Sequence, residues 1–464
     1  MTHNAQSLPT AGSIHTLTPH DLAISGGGVA KLDGFTVFLD KGLPGETVRC
    51  RVTEVKPRFA KADVLETITP SPDAVPSFCP HADRCGGCAW TTLSYRAQLA
   101  WKERQVRETL RRIGKVDFSS PGSTEYLPIT PSPRQTGYRN KMEFAFGVEK
   151  GFPALGLREN NSHEIVSIEE CALSFLPVKN ILTLTREWLH ASTLRPFDGN
   201  RGELRFLVIR CPEYTPDGTP RCLVELITAP GSQSVSEAAE KLGRSLMENS
   251  AVTGFIHSIR AAKANVAYGE KAVLRLGEIT VTEKVETLLL QAPAQAFMQA
   301  NTSAATLLYD HIRSWVNLEK PSVVWDIYCG IGGIGLFLAR DNLVLRGIES
   351  VHEAVRFARK NAVGLTGDLA FSQIFAGTDL SRITPRPDLV ITDPPRSGMD
   401  AGLRATLLKL RPNRIIAVGC DAASLARDVA FLAPAYRVRS ARAVDLFPHT
   451  PHVEIAALLE LATA

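Results

Sequence analysis

The stretch Val323–Gly335, VVWDIYCGIGGIG, decides the fold of the C-terminal third. VVWDI reads as a buried strand, YCGIGGIG as a glycine-rich loop, and GLFLAR as the helix after it. Glycines in such a loop let the backbone come close to a ligand. Working outward, LVLRGIE is a second strand ending at Glu349, and VHEAVRFARKNAV is the next helix. AFSQIFAG, DLVITDPP and RIIAVGC are three further strands, and YRVRSARAV and VEIAALLEL close the domain. Strands alternating with helices imply a parallel, doubly wound α/β sheet. Ligands bind such sheets beyond the carboxyl ends of the strands. Glu349, Asp393 and Cys420 all fall at those ends.

The remaining 300 residues or so are organised differently. Residues 1–12 read as a loose tail and 13–70 as a small all-β unit. Within that unit ETVRCRVTEVK alternates Val48, Cys50 and Val52, and Asp33-Gly34 between two β-rich runs signals a hairpin. KPRFAKA sets Lys56, Arg58 and Lys61 around Phe59, which suits single-stranded nucleic acid or simply a solvated strand end. A proline-rich stretch at 69–77 marks a boundary. The basic segment LSYRAQLAWKERQVRETLRRIGK then has helical spacing, with Leu99, Val106, Leu110 and Ile113 on one side. Its Arg96, Lys102, Arg104, Arg107, Arg111, Arg112 and Lys115 suit either phosphate contacts or a solvated face. A mixed α+β region with many short strands runs from 71 to 295, and the doubly wound domain occupies 296–464.

Bulk properties narrow the class. The chain has 464 residues with 44% hydrophobic and 22% charged, an ordinary globular composition. A net charge of +4 gives no whole-protein field for nucleic acid, so any basic surface is local. The N-terminal segment lacks the apolar core of a signal peptide, and no long uncharged apolar run appears. The expectation is a cytoplasmic protein without a membrane partner and with no obligate protein partner evident.

In that compartment clustered cysteines read as metal-binding or catalytic rather than cross-linked. SFCPHADRCGGCAW, Ser77–Trp90, carries Cys79, Cys85 and Cys88 in a C-x5-C-x2-C spacing, and Cys171 in SIEECAL is the candidate fourth ligand. Four thiolates suit zinc or an iron–sulfur cluster, and spacing alone does not separate them. Cys50, Cys211 and Cys222 read as small buried hydrophobes.

The form DxxCGxGG resembles class I S-adenosylmethionine methyltransferases more than dehydrogenases, whose loop is G-x-G-x-x-G. DPPR, Asp393–Arg396, is close to the (D/N)PP-aromatic motif of amino methyltransferases, but Arg396 stands where their aromatic would. QAFMQAN at 295–301, GCDAASLARD at 419–428 and FPHTPHVE at 447–454 complete the pattern. Together these motifs resemble the RNA 5-methyluridine methyltransferases over nearly the whole chain. The resemblance implies an OB-like TRAM domain at 13–70 and a central domain carrying a four-cysteine site. It makes Cys79, Cys85, Cys88 and Cys171 ligands of a [4Fe–4S] cluster rather than zinc, as in the ribosomal-RNA branch.

It further implies Cys420 as nucleophile and Glu454 as base, with Gln299, Tyr328, Glu349 and Asp393 holding S-adenosylmethionine. The expected substrate is a uridine in RNA, 23S rRNA ahead of the tRNA T-loop. The rival from another class is a non-catalytic RNA-binding protein on a relic methyltransferase fold. The chain departs from the family pattern at Gly333, at Gly419 and at Ala422-Ala423, where a proline is common.

Overall fold

The computed structural model describes residues 9–120, 123–160, 162–215 and 217–462; most of the expected tail at 1–12 lies outside them. The chain divides into two compact units. The first comprises residues 1–104 with Phe447–His452, and the second Gln105–Leu446 with Val453–Ala464. The division thus runs past the proline-rich stretch and takes a short C-terminal segment with it.

The first unit begins with a six-stranded sheet built from residues 14–69. Gly28–Leu32 and Phe35–Leu39 pair antiparallel with Leu32 opposite Phe35, which leaves a two-residue turn. Asp33 and Gly34 both adopt positive φ there, the conformation that a twisted hairpin requires. Thr47–Val55 buries Val48, Cys50 and Val52 on one face, as its alternation implied. These pack with Leu17, Val37 and Val64, and each fully buried valine contributes roughly 1.5–3 kcal/mol. The basic cluster beside Phe59 is partly neutralised, because Lys56 and Lys61 both pair with Glu54 at 2.5 and 2.9 Å.

The helix Tyr95–Arg112 starts in the first unit and ends in the second. Val106 and Leu110 are buried as expected, whereas Ile113, just beyond the helix, is exposed. Lys102, counted on the basic face, is fully buried, and its ammonium donates to the Phe447 carbonyl at 3.0 Å. Among the described residues no helix is long and apolar enough to cross a membrane.

The second unit holds two large sheets. A seven-stranded sheet runs through Lys141–Glu149, Leu204–Arg210, Cys222–Thr228 and Val252–Ile259. The eight-stranded sheet contains the predicted C-terminal strands. Its first strand, Val323–Ile327, is central, with Val344–Glu349 parallel on one side and Leu389–Thr392 parallel on the other. Asp368–Gln373 and Arg414–Gly419 extend it outward, again parallel. Glu454–Leu461 then inserts antiparallel between Arg414–Gly419 and Tyr436–Val444. The chain winds outward in both directions from Val323–Ile327, so the carboxyl end of that strand is the topological switch point. The edge beyond Tyr436–Val444 is covered by Glu125–Thr130, a strand contributed from far upstream.

Candidate active site at the carboxyl ends of the strands

The glycine loop is shaped by Asp326, the fourth residue of the central strand. Its Oδ2 accepts the Gly335 N–H at 2.9 Å, and a Cβ at Gly335 would stand 2.7 Å from that oxygen. Gly330 and Gly332 turn the loop in the left-handed region, at φ +55° and +89°. The other carboxylate oxygen, Oδ1, is buried with no hydrogen-bond partner among the described residues. Burial, then the charges of Asp393 and Glu349, push the Asp326 carboxyl up to about 7.

Glu349 ends the second strand as predicted. Its Oε2 accepts from Gly330 N at 3.1 Å, while Oε1 accepts from Ser350 N and Val351 N at 2.7 and 2.8 Å. Backbone donors thus fix the carboxylate; Ser350 Oγ also donates to Oε1, so Oε2, with one donor, is the oxygen that keeps acceptor capacity for a ligand hydroxyl. Tyr328 adopts φ +64°, and its hydroxyl donates to Asp400 Oδ2 at 2.9 Å while accepting from Asp400 N at 3.1 Å. Both side chains are partly buried.

Gln299 is buried within a loop that is clamped along its length. Asn140 Nδ2 donates to the Gln299 carbonyl at 2.9 Å and also to Glu283 and Thr302. Buried Arg210 donates to the Ala294 and Ala296 carbonyls, and Gln295 reaches Glu225 and the Gly269 carbonyl. Asn301 caps the helix Thr302–Glu319 and ties back to Ser132 and the Leu446 carbonyl. These clamps are not legible in the sequence because their partners lie between 26 and 169 residues away.

Cys420 follows the buried strand Arg414–Gly419 directly, and Asp421 caps the helix after it by accepting Ser424 N at 2.7 Å. The thiol is partly exposed, between a buried strand and a capped helix. Burial raises it, and the carboxylates of Glu454 and Asp393 raise it further. Arg396 opposes them through its charge and a hydrogen bond to the sulfur. In the sequence Arg396 stands out only as the residue where an aromatic would be. Its position three residues past a strand-end acid was the available signal.

Glu454 begins the antiparallel strand and is buried, with Oε2 unpartnered among the described residues. Burial and the Asp393 charge push its carboxyl well above the ordinary range, against the pull of Arg396. Burial raises Asp393 as well. Tyr309, also unforeseen, is buried and feels the charges of Asp393, Asp326 and Glu454. A Cβ at Gly333 would stand 2.9 Å from its hydroxyl, so the phenol occupies the space a side chain at 333 would need. One electrostatic site therefore joins Cys420, Glu454, Asp393 and Arg396, with Asp326 and Glu349 beside it.

The expected four-cysteine centre draws its residues from both units. Cys79, Cys85 and Cys88 lie in the first unit and Cys171 in the second. Among the described residues no group of three or more His, Cys, Asp or Glu side chains is placed to hold a metal ion. The cysteine loop is built from short turns. Ala82 N donates to the Cys79 carbonyl, Arg84 N and Cys85 N to the His81 carbonyl, and Gly87 N to Cys85 Sγ at 3.4 Å. Thiols have no mutual attraction that gathers them; a bound cation does that. No step proposed for the protein passes through a metal or cluster.

A parallel sheet with a glycine loop, strand-end acids and a strand-end thiol defines a class I methyltransferase fold. Residues 12–65 match the TRAM domain model, and residues 365–462 match the model described as tRNA (Uracil-5-)-methyltransferase. A relative from Nitratidesulfovibrio vulgaris, described as an uncharacterized RNA methyltransferase, is 40% identical over 96% of this chain and 95% of its own. A second so described, from Halalkalibacterium halodurans, is 33% identical over 96% of each chain. Among solved structures the fold resembles the Pyrococcus abyssi tRNA (uracil-54, C5)-methyltransferase in complex with S-adenosyl-L-homocysteine. That likeness has a TM-score of 0.74 at 24% identity, covering 96% of this chain and 100% of that one. The chain belongs to the RNA methyltransferase family.

Proposed function

We propose that the protein methylates C5 of a uridine in RNA through a covalent adduct between Cys420 and C6 of the base. The observation that carries this reading is the convergence of Cys420, Glu454, Asp393 and Arg396 in one electrostatic site at the strand ends. Uracil C5 is a poor nucleophile until a thiolate adds at C6 and turns the ring into an enolate. Arg396 favours that thiolate by charge and hydrogen bond. S-adenosylmethionine, when bound, supplies an electrophilic methyl group on a sulfonium centre. Glu349 would hold its ribose hydroxyls, Tyr328 and Gln299 would position it, and Asp393 would lie near its reactive end. The fixed acceptors of Glu349 and the left-handed glycine turn support this assignment. Glu454 then takes the C5 proton, the ring electrons re-form the C5–C6 double bond, and the Cys420 thiolate leaves. Its buried, unpartnered Oε2 suits a carboxylate that exchanges a proton within the site.

For the RNA, the TRAM-type unit and the cysteine loop support 23S rRNA, whose uridine must be unpaired or flipped out to meet Cys420. A second reading, the tRNA T-loop, is supported by the end-to-end likeness to the Pyrococcus abyssi tRNA enzyme. Spacing and resemblance alone support Cys79, Cys85, Cys88 and Cys171 as a [4Fe–4S] ligand set, with zinc second. Iron and sulfide analysis of anaerobically purified protein tests that part. The function is tested with labelled S-adenosylmethionine and unmodified 23S rRNA and tRNA transcripts side by side. 5-Methyluridine mapped to one site in 23S rRNA is expected. Its appearance in tRNA alone selects the second reading, and no 5-methyluridine in either refutes the function.

A further inference from the structure

The motif FPHTPHVE spans both units. Phe447–His452 belongs to the first, and Val453 and Glu454 belong to the second. The first unit grips its share at several points. Gln98, fully buried, donates from Nε2 to the Trp90 and Leu93 carbonyls at 3.1 and 2.8 Å, and bonds His449 Nδ1 at 3.1 Å. Its Oε1 accepts the His449 N–H at 2.8 Å. Trp90 N donates to the His449 carbonyl at 3.0 Å, and the Phe78 ring lies 4.6 Å from the His449 ring. Lys102 donates to the Phe447 carbonyl. His449 itself sits at φ +66°, a conformation that a non-glycine residue keeps only when its surroundings hold it there.

Phe78 immediately precedes Cys79, and Trp90 follows Cys88 by two residues. The two ends of the cysteine loop therefore meet on one residue, His449, five positions before Glu454. We propose that the cysteine loop clamps the segment that delivers Glu454, with Phe78, Trp90 and Gln98 as positioning residues for the base. The inference rests on the reading of Cys420 and Glu454 as nucleophile and base. Glu454 is the terminal residue of its strand, so a loosened clamp frays that end and displaces it, while Cys420, just past the end of a different buried strand, stays where it was. The defect then falls on one step. Thiolate addition and methyl transfer proceed, but the C5 proton stays and the covalent adduct persists.

The test compares wild type, Phe78→Ala and Gln98→Leu on the RNA that the wild type methylates, as plain uridine and as 5-fluorouridine transcripts. Phe78 is 40% exposed, so its truncation leaves the fold intact, and Phe78→Tyr keeps the ring as a rescue control. Fluorine at C5 leaves no proton to remove, so the adduct accumulates with or without a placed base. The expected result is normal adduct formation on 5-fluorouridine RNA by both variants. On plain RNA kcat should fall about tenfold, KM should fall with it because the steps up to methyl transfer are untouched, and adduct should build up on denaturing gels. Phe78→Tyr should behave as wild type. Wild-type turnover by both variants, or loss of the 5-fluorouridine adduct by a folded Phe78→Ala protein, overturns the clamp. Failure of the wild type itself to form the 5-fluorouridine adduct overturns the underlying function instead.

Discussion

Cys420 and the cysteines of the 79–88 loop are the same side chain in two kinds of setting. Cys420 extends a strand whose Ile415–Gly419 are all buried, and a capped helix follows at once. Its position is fixed by the sheet before any chemistry is asked of it. The loop cysteines sit among short turns, and what fixes that loop in the first unit is the aromatic residues at its ends. A reacting atom has to be held within about half an ångström of productive geometry, which regular structure supplies better than a loop. The proposed division of labour, chemistry at Cys420 and restraint at 79–88, matches that difference.

Breaking the comparison at its strongest point gives the largest effect. Cys420→Ala removes the proposed nucleophile, so methyl transfer should fall at least about 10⁴-fold while RNA affinity is kept. A filter-binding assay beside the methylation assay checks both halves. Residual 5-methyluridine near the wild-type rate would sink the covalent mechanism. Glu454→Gln should lower kcat by roughly 10²–10⁴-fold. It should also trap the RNA–protein adduct on unsubstituted RNA, visible by denaturing electrophoresis.

Arg396→Gln sharpens the comparison, because it changes the electrostatics around Cys420 and leaves the strand alone. Arg396 holds the thiol down against burial, Glu454 and Asp393. Without it the thiol rises further, a smaller fraction is thiolate at any given pH, and the rising limb of the pH–rate profile moves to higher pH. Turnover near pH 7.5 should drop by about three- to tenfold and recover in part at pH 9. A profile that keeps its midpoint would show that Arg396 acts elsewhere.

The C-terminal sheet was legible because each of its signals is local. VVWDI, LVLRGIE and RIIAVGC are apolar runs bounded by glycine or charge, and their ends place Glu349 and Cys420 without further information. Asp33-Gly34 was legible for the same reason. What stayed hidden depends on partners distant in sequence. Lys102 looks like a member of a basic face until the Phe447 carbonyl arrives from 345 residues away. The return of Phe447–His452 to the first unit leaves no periodicity to read. Tyr309 is one apolar position of a helix, and only the packed site reveals its hydroxyl beside Gly333. The cysteine spacing points to a ligand set, but spacing alone does not separate zinc from an iron–sulfur cluster.

The smallest effect concerns Asp326, which shapes the loop rather than the reaction. Its carboxyl is raised from an unfolded value near 3.8 to about 7. Between those limits the folded chain binds more protons than the unfolded one, so this group's contribution to stability falls as pH rises from about 4 to 7. His257 and His311, both lowered to about 4 by burial, have the opposite sign over about pH 4 to 6.5. They titrate alike in wild type and variant and cancel in a difference. Asp326→Asn keeps an acceptor for Gly335 N and removes the buried charge, so its stability relative to wild type should climb with pH. The gain between pH 5 and pH 8 should be on the order of 2 kcal/mol by paired denaturant unfolding. A difference that stays flat across that range would mean that Asp326 is solvated or paired in the folded protein, and that the glycine loop is held without a buried acid beneath it.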